Sequence, residues 1–127
     1  MNFLDFDGTA ESGSDAIQLN GASIKIPVLR EGATGSLSLG VRPEHIQFSD
    51  GSAYSGKVIA IEYLGTTQIV TLSTANGEIK ARTPSDRHVS MGQTIGLKFD
   101  ARTLTVFENR KGLALHSAAN EGVIAHG

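Results

Sequence analysis

The chain has 127 residues, with 11 Lys and Arg set against 13 Asp and Glu, and no cysteine. That length buries a core without covalent staples, and the missing cysteines exclude thiolate nucleophiles, disulfide redox chemistry and cysteine-based zinc sites. The charges nearly cancel and are scattered, so the basic stripe that neutralises nucleic-acid phosphates is absent, and with it the expectation of a nucleic-acid partner.

Fifteen glycines and apolar residues at every second position in short runs point to an all-β fold. Ile17 and Leu19 precede Asn20-Gly21, and Ile24, Ile26 and Val28 follow, which predicts a hairpin turned on two residues that tolerate positive φ. Pro27 has no N–H for a ladder and belongs at the end or edge of its strand. Residues Glu31–Ser36 read as a polar, glycine-rich connection, after which "LSLGVRPEHIQF" opens another strand. A meander of three strands follows, Lys57–Tyr63, Gln68–Ser73 and Glu78–Arg82, reversing at Leu64–Thr67 and at Asn76-Gly77. A strand at Thr94–Phe99, a turn at Asp100–Arg102 and a last strand ending at Phe107 complete the pattern, and residues 109–127 read as a frayed tail. So many short strands must close on themselves to avoid open edges. The expected architecture is one domain over residues 1–127, a small OB-like barrel with an additional β-hairpin lobe.

No apolar run approaches the roughly 18 residues of a membrane span, and residues 1–8 lack the basic start and apolar middle of a secretory signal. The expected location is the cytoplasm. His45, His88, His116 and His126 are too widely spaced for a recognisable metal motif. Glu44 and His45 are adjacent, which on a strand turns them to opposite faces and weakens any catalytic pairing. Pro43 instead suits the opening of a single helical turn, pushing Arg42 to an extended conformation and placing Glu44 at the favourable end of the turn dipole. A phosphate-cradling loop and a nucleophile elbow are both missing, so the chain is expected to bind no ATP by itself and to catalyse nothing. The best pairing for a nucleic-acid platform is Tyr63 beside Lys80 or Arg82.

Three motifs, "LGVRPEHI" (Leu39–Ile46), "GKVIAIEYLGTTQIV" (Gly56–Val70) and "MGQTIGLKFDARTLTVFE" (Met91–Glu108), occur in a familiar order and spacing. Together they resemble the C-terminal regulatory, transport-associated OB-like (TOBE) domain of carbohydrate-type ABC importer ATPase subunits, the maltose/maltodextrin and glycerol-3-phosphate importer family. The resemblance covers about Met1 to Phe107. It implies the isolated C-terminal part of a longer ATPase, with ATP and Mg bound elsewhere in the parent protein and no cofactor in this part. It implies a non-catalytic regulatory and dimerisation domain that pairs with its own copy and contacts the nucleotide-binding domain of its own chain. Through that domain it would act on membrane permease subunits at the inner face of the cell membrane, and it could receive a regulatory protein. The interface and regulatory residues so implied are Arg42, Glu44 and His45 of the corner signature, then Gly56, Glu62, Gly65, Gly92, Lys98 and Phe107. The dimer-contact stretch falls on Met91–Phe107, and Lys98 departs from the glycine of maltose-type members. Two alternatives stand beside this: a small-solute or oxyanion module using backbone N–H groups at glycine turns with Arg42 or Arg82, and a nucleic-acid-binding barrel.

Overall fold

The computed structural model describes residues 1–109, 112–115, 117 and 118. Alternating side chains carry those residues through eleven strands: β1 (Asn2–Ala10), β2 (Ala16–Leu19), β3 (Ala22–Lys25), β4 (Ala33–Val41), β5 (Ile46–Phe48), β6 (Ser55–Leu64), β7 (Thr67–Thr74), β8 (Gly77–Pro84), β9 (Thr94–Phe99), β10 (Thr105–Glu108) and β11 (Leu113–Ala114). Two single 3-10 turns, Pro43–His45 and Ala101–Thr103, separate β4 from β5 and β9 from β10. Every strand pairing is antiparallel, in sheets ordered β1-β4-β10-β11, β2-β3 and β5-β9-β6-β7-β8. The all-β, OB-like barrel expected from the sequence is present.

The hairpin of β2 and β3 turns on Asn20 (φ 48°) and Gly21 (φ 83°), two left-handed residues in succession. Ile17, Leu19, Ala22 and Ile26 join the same apolar cluster as the barrel, so this hairpin lobe shares one core with it. The meander is also as expected, each strand reaching one or two residues further. One irregularity lies in β6, where Val58 pairs with Leu72 but Ala60 pairs with Thr71. Ile59 is the extra residue of a β-bulge, turned outward and partly exposed. Buried Val58 and half-buried Ile61 consequently both face the core although an odd number of positions separates them.

Three expectations need correction. Glu31–Ser36 is not simply a connection, because Ala33–Ser36 is the first half of β4. Its nine-pair register with β1 runs from Ala10↔Ala33 to Asn2↔Val41, and backbone hydrogen bonds hold the polar half without burial. Val28 lies beyond β3, which stops at Lys25 before Pro27. Finally, the tail is not frayed throughout: β11 pairs with β10, Leu115 and Ser117 are buried, Leu29 bridges to Ser117, and the Ala118 N–H donates to the Val28 carbonyl at 2.8 Å. Residues 119–127 lie outside the described ones.

Two asparagines join the sheets at β1 and β8. The Asn2 amide lies against the backbone of Lys80, its Nδ2 donating to the carbonyl at 2.7 Å and its Oδ1 accepting from the N–H at 2.9 Å. Asn76 Nδ2 donates to the Asp5 carbonyl at 2.9 Å, while the Asp5 N–H donates to the Asn76 carbonyl at 3.1 Å. The buried Tyr54 hydroxyl then donates to Asn76 Oδ1 at 2.8 Å, tying the seam to the core. Elsewhere packing is tight enough to require glycine. A Cβ on Gly96 would land on the Ser49 carbonyl oxygen, where the Ser49 N–H donates to Gly96 O at 2.8 Å.

Replacing Asn76 with Ala should cost about 1 to 2 kcal/mol, because it removes the side-chain link to β1 and one hydrogen bond of the Tyr54 hydroxyl. Urea denaturation reads this as a lower midpoint with an unchanged slope. Gly96→Ala should destabilise by about 3 kcal/mol or more through overlap with backbone that cannot move aside, and the same assay measures it. Burial raises the Tyr54 phenol above its usual value of 10.0, against weaker opposing hydrogen bonds. The unfolded chain therefore loses that proton first, and stability should fall as pH rises through about 10. Urea midpoints from neutral to alkaline pH should show this part of the decline missing in Tyr54→Phe.

Candidate functional site

The corner "RPEH" forms as expected. Arg42 is extended (φ −79°, ψ 146°), Pro43 opens a 3-10 turn, and the His45 N–H donates to the Arg42 carbonyl at 3.0 Å. The chain then enters β5, and the Asp100 N–H donates to the His45 carbonyl at 3.2 Å, binding the corner to the end of β9. Arg42 and Glu44 are exposed and His45 is half-buried. The backbone N–H of Glu44, and more weakly His45, Arg42 and Arg82, hold its carboxyl below the usual carboxylate range against slight desolvation. Among the described residues no hydrogen bond joins Glu44 to His45, and His45 Nδ1 is buried without a partner. A proton-transfer pair is not assembled. Nor do the described residues contain a group of three or more His, Cys, Asp or Glu that could hold a metal ion.

Beside the corner lies a depression of about 390 Å³, lined by Glu44, Phe48, Arg82, Thr83 and Arg87 among others. The Arg87 guanidinium sits 5.8 Å from the centre of the Phe48 ring. Gln68, fully buried, anchors the rim by donating to the carbonyls of Pro84 (3.2 Å) and Arg87 (2.6 Å). Tyr63, by contrast, does not stand beside Lys80 or Arg82. The ladder Tyr63↔Gln68↔Thr83 puts it on the opposite pleat face from Glu62↔Ile69↔Arg82, so the pairing suggested for a nucleic-acid platform is not made.

A second surface is the outer face of the four-stranded sheet. Leu37, Leu39 and Val41 of β4 point into the core, while Ser38 and Gly40 point away. Gly40 sits opposite Phe3 on one side and Thr105 on the other. A Cβ there would come within 2.7 Å of the Phe107 ring and 2.8 Å of Met1 Sδ, so the bare backbone is what lets both side chains lie down across β4. Phe107 meets Phe3 edge to face, with ring centres 5.5 Å apart. Phe107 is half-buried, while Phe3 and Met1 remain about half exposed. Beneath them the Ser38 hydroxyl lies 2.6 Å from Asp5 Oδ1 and 2.7 Å from the Asn109 side-chain amide, and Asn109 also reaches Ser36 Oγ at 3.1 Å.

The remaining implied residues are dispersed. Gly56 is buried inside β6, where a Cβ would lie 3.1 Å from Leu72 Cβ and 3.2 Å from Thr74 Cγ2, so it permits the approach of β7 and offers no surface. Glu62 is exposed on the outer face of β6. Gly65 (φ 78°) makes the β6–β7 turn, and its carbonyl accepts from Ser85 Oγ at 2.8 Å. Gly92 (φ 80°) makes the turn before β9 and donates its N–H to the bulged Val58 carbonyl at 2.8 Å. Lys98 is exposed on β9, opposite Gln47 of β5.

Met91–Phe107 is therefore not one continuous contact surface. It crosses from one sheet to another, with Ile95, Leu97, Phe99, Leu104 and Val106 buried along the way. Met1, Gly40 and Asn2 were not singled out from the sequence, Asn76 was read only as a turn residue, and Phe3, which reads as a core aromatic, instead lies half exposed on the outer face. The alternation of Leu4 and Phe6 with Phe3 and Asp5 was the signal that could have revealed β1 and its outward aromatic.

Comparison with known proteins places this geometry. The family model described as the TOBE domain matches residues 39–107. Curated relatives include two ATP-binding proteins for Fe(3+) ions import, FbpC 3 and FbpC 1, of Rhodococcus jostii (strain RHA1). They are 32% and 33% identical over 82 residues, which is 62% of this chain but 24% of each relative. The matched stretch thus spans about a quarter of the length of these relatives. Among solved structures, the cytoplasmic molybdate-binding protein ModG, with molybdate bound, superposes with a TM-score of 0.64 at 17% identity, covering 83% of this chain and 94% of that one. At that identity the likeness is one of fold. With its match running over more than half of its residues, from the end of β4 to β10, the chain belongs to the TOBE domain family.

Proposed function

We propose that this chain is a non-catalytic regulatory domain of the ATP-binding subunit of an ABC importer, and that it works by association with a second copy of itself. Its relatives are ATP-binding subunits of importers, matched over a limited part of their length. In this reading the nucleotide-binding domain and, through it, the permease subunits are its further partners, at the cytoplasmic face of the membrane. A regulatory protein is a further candidate partner. ATP and Mg belong to the parent subunit. The observation that carries the association role is the Phe3–Phe107 pair, open on a sheet whose opposite face is the core. Exposed aromatics in contact with each other supply apolar area at little conformational cost, and such residues are enriched at the centres of interfaces.

The curated relatives carry Fe(3+) import in their names, so the carbohydrate cargo implied by sequence resemblance draws no support from them. Cargo selection is assigned here to the permease and the external binding protein. The alternative, an oxyanion-binding module, draws on the molybdate-binding name of the ModG neighbour.

Sedimentation equilibrium over a wide concentration range, with Phe107→Ala and Gly40→Ala beside the unaltered chain, tests the association role. The expected result is a dimer whose dissociation constant rises about tenfold or more in either variant, each retaining its β-sheet circular dichroism. A monomer at every concentration, or a dimer indifferent to both changes, rejects association through this face. Dimerisation only with added molybdate favours the alternative.

A further inference from the structure

We propose that a second copy sits on the Phe3–Phe107 face in one orientation, its strands antiparallel to the first, with Glu78 and Asp5 of each copy against Lys80 and Arg42 of the other. This rests on the association reading and supplies the arrangement of the pair. Phe3, Asp5 and Asp7 share the pleat face of β1 opposite buried Leu4 and Phe6. Arg42 continues buried Val41 in extended conformation, so it turns outward like Gly40, one step beyond the Asn2↔Val41 pair and beside Met1. On β8, exposed Glu78 and Lys80 flank buried Ile79 and also turn outward.

The seam sets the levels of these strands. Asn2 lies against Lys80 and Asn76 against Asp5, so Glu78 lies towards Asp5 and Lys80 towards Met1, with Phe3 level with the segment between them. Acid therefore stands on one side of the aromatic pair and base on the other. The acidic end holds Asp5, Asp7 and Glu78, all exposed. The basic end holds Arg42, Lys80 and Arg82, also exposed, and Glu44, whose carboxyl its own backbone N–H, with His45, Arg42 and Arg82, keeps below the usual range. Cations still exceed carboxylates there. Among the described residues Asp5, Glu78, Arg42 and Lys80 form no ion pair within the chain.

Two copies of such a face meet about a two-fold axis lying in the interface. An axis running across the strands at the level of Phe3 and Gly40 reverses the gradient, so each end lies over its opposite. At about 3.4 Å per residue, Asp5 stands about 7 Å to one side of Phe3 and Arg42 about 7 Å to the other. Glu78 and Lys80 stand about one residue to either side of the same line. The rotation thus carries Lys80 of the second copy over Glu78 and Arg42 over the flank of Asp5, while the aromatics meet at the centre. An axis along the strands would instead set acid level with acid and base level with base, a juxtaposition that opposes docking. Charge in this arrangement fixes the orientation, and the aromatic centre supplies the buried area.

Sedimentation equilibrium at low salt on Glu78→Lys, Lys80→Glu and their equimolar mixture tests the orientation. Both positions are exposed, and circular dichroism checks that each variant folds. A pair of Glu78→Lys chains sets lysine on lysine, and a pair of Lys80→Glu chains sets glutamate on glutamate. Each variant alone is expected to dimerise about tenfold more weakly than the unaltered chain. In the mixture opposite charges meet again, and the affinity should return to within about twofold of the original. Variants that dimerise as tightly as the unaltered chain, or a mixture no tighter than its components, overturn this orientation. If Phe107→Ala still weakens the dimer in that case, association through the face stands without it. An unaltered chain that is monomeric at every concentration overturns both.

Discussion

The barrel depends on two asparagine side chains doing what strands do elsewhere. β1 and β8 belong to different sheets, and where they meet, Asn2 presents its amide to the Lys80 backbone as a short imitation of a neighbouring strand. Asn76, at the β7–β8 turn, completes the join by exchanging hydrogen bonds with the Asp5 backbone. Unpaired backbone groups at sheet edges are costly when buried and adhesive when exposed, and this seam removes part of both problems. Because Tyr54 holds Asn76 from inside, the seam and the core are fixed together.

Other features follow from that closure. With β1 tied to β8 and paired along its full length to β4, the outer face of the four-stranded sheet becomes a defined surface. Gly40 flattens the middle of it, and two aromatics rest there against each other. On the far side, the Pro43 corner delivers the chain from β4 into β5 and sets the β5–β9 ladder opposite the hairpin.

Much of the fold was legible because its signals are local. Asn20-Gly21 and Asn76-Gly77 announce their hairpins, and Pro43 announces its turn, since each residue's backbone preference decides the outcome by itself. The polar half of β4 was not legible: nothing in Ala33–Ser36 reports that β1 lies alongside it, and pairing through backbone groups leaves no pattern in side chains. The tail strand escaped for the same reason, as it is only two residues long. The site was less readable than the fold. The geometry of the corner was readable from Pro43, but Gly56 is a packing glycine and Met91–Phe107 alternates between buried wall and exposed positions in two different sheets. Surfaces gather residues that are distant in sequence, such as Phe3 with Phe107 or Asn2 with Lys80, and spacing along the chain does not encode those meetings.

The bulge at Ile59 bears on how this sequence can vary. Its extra residue resets the inward and outward phase of β6, so that Val58 and Ile61 both reach the core while the strand passes from β9 to β7 as successive neighbours. What the fold requires there is a number of residues more than a kind of residue. The Ile59 side chain is free to drift among many types, whereas losing or gaining one position would turn the rest of the strand inside out. In a lineage of such domains, this segment should accumulate replacements freely and refuse changes of length.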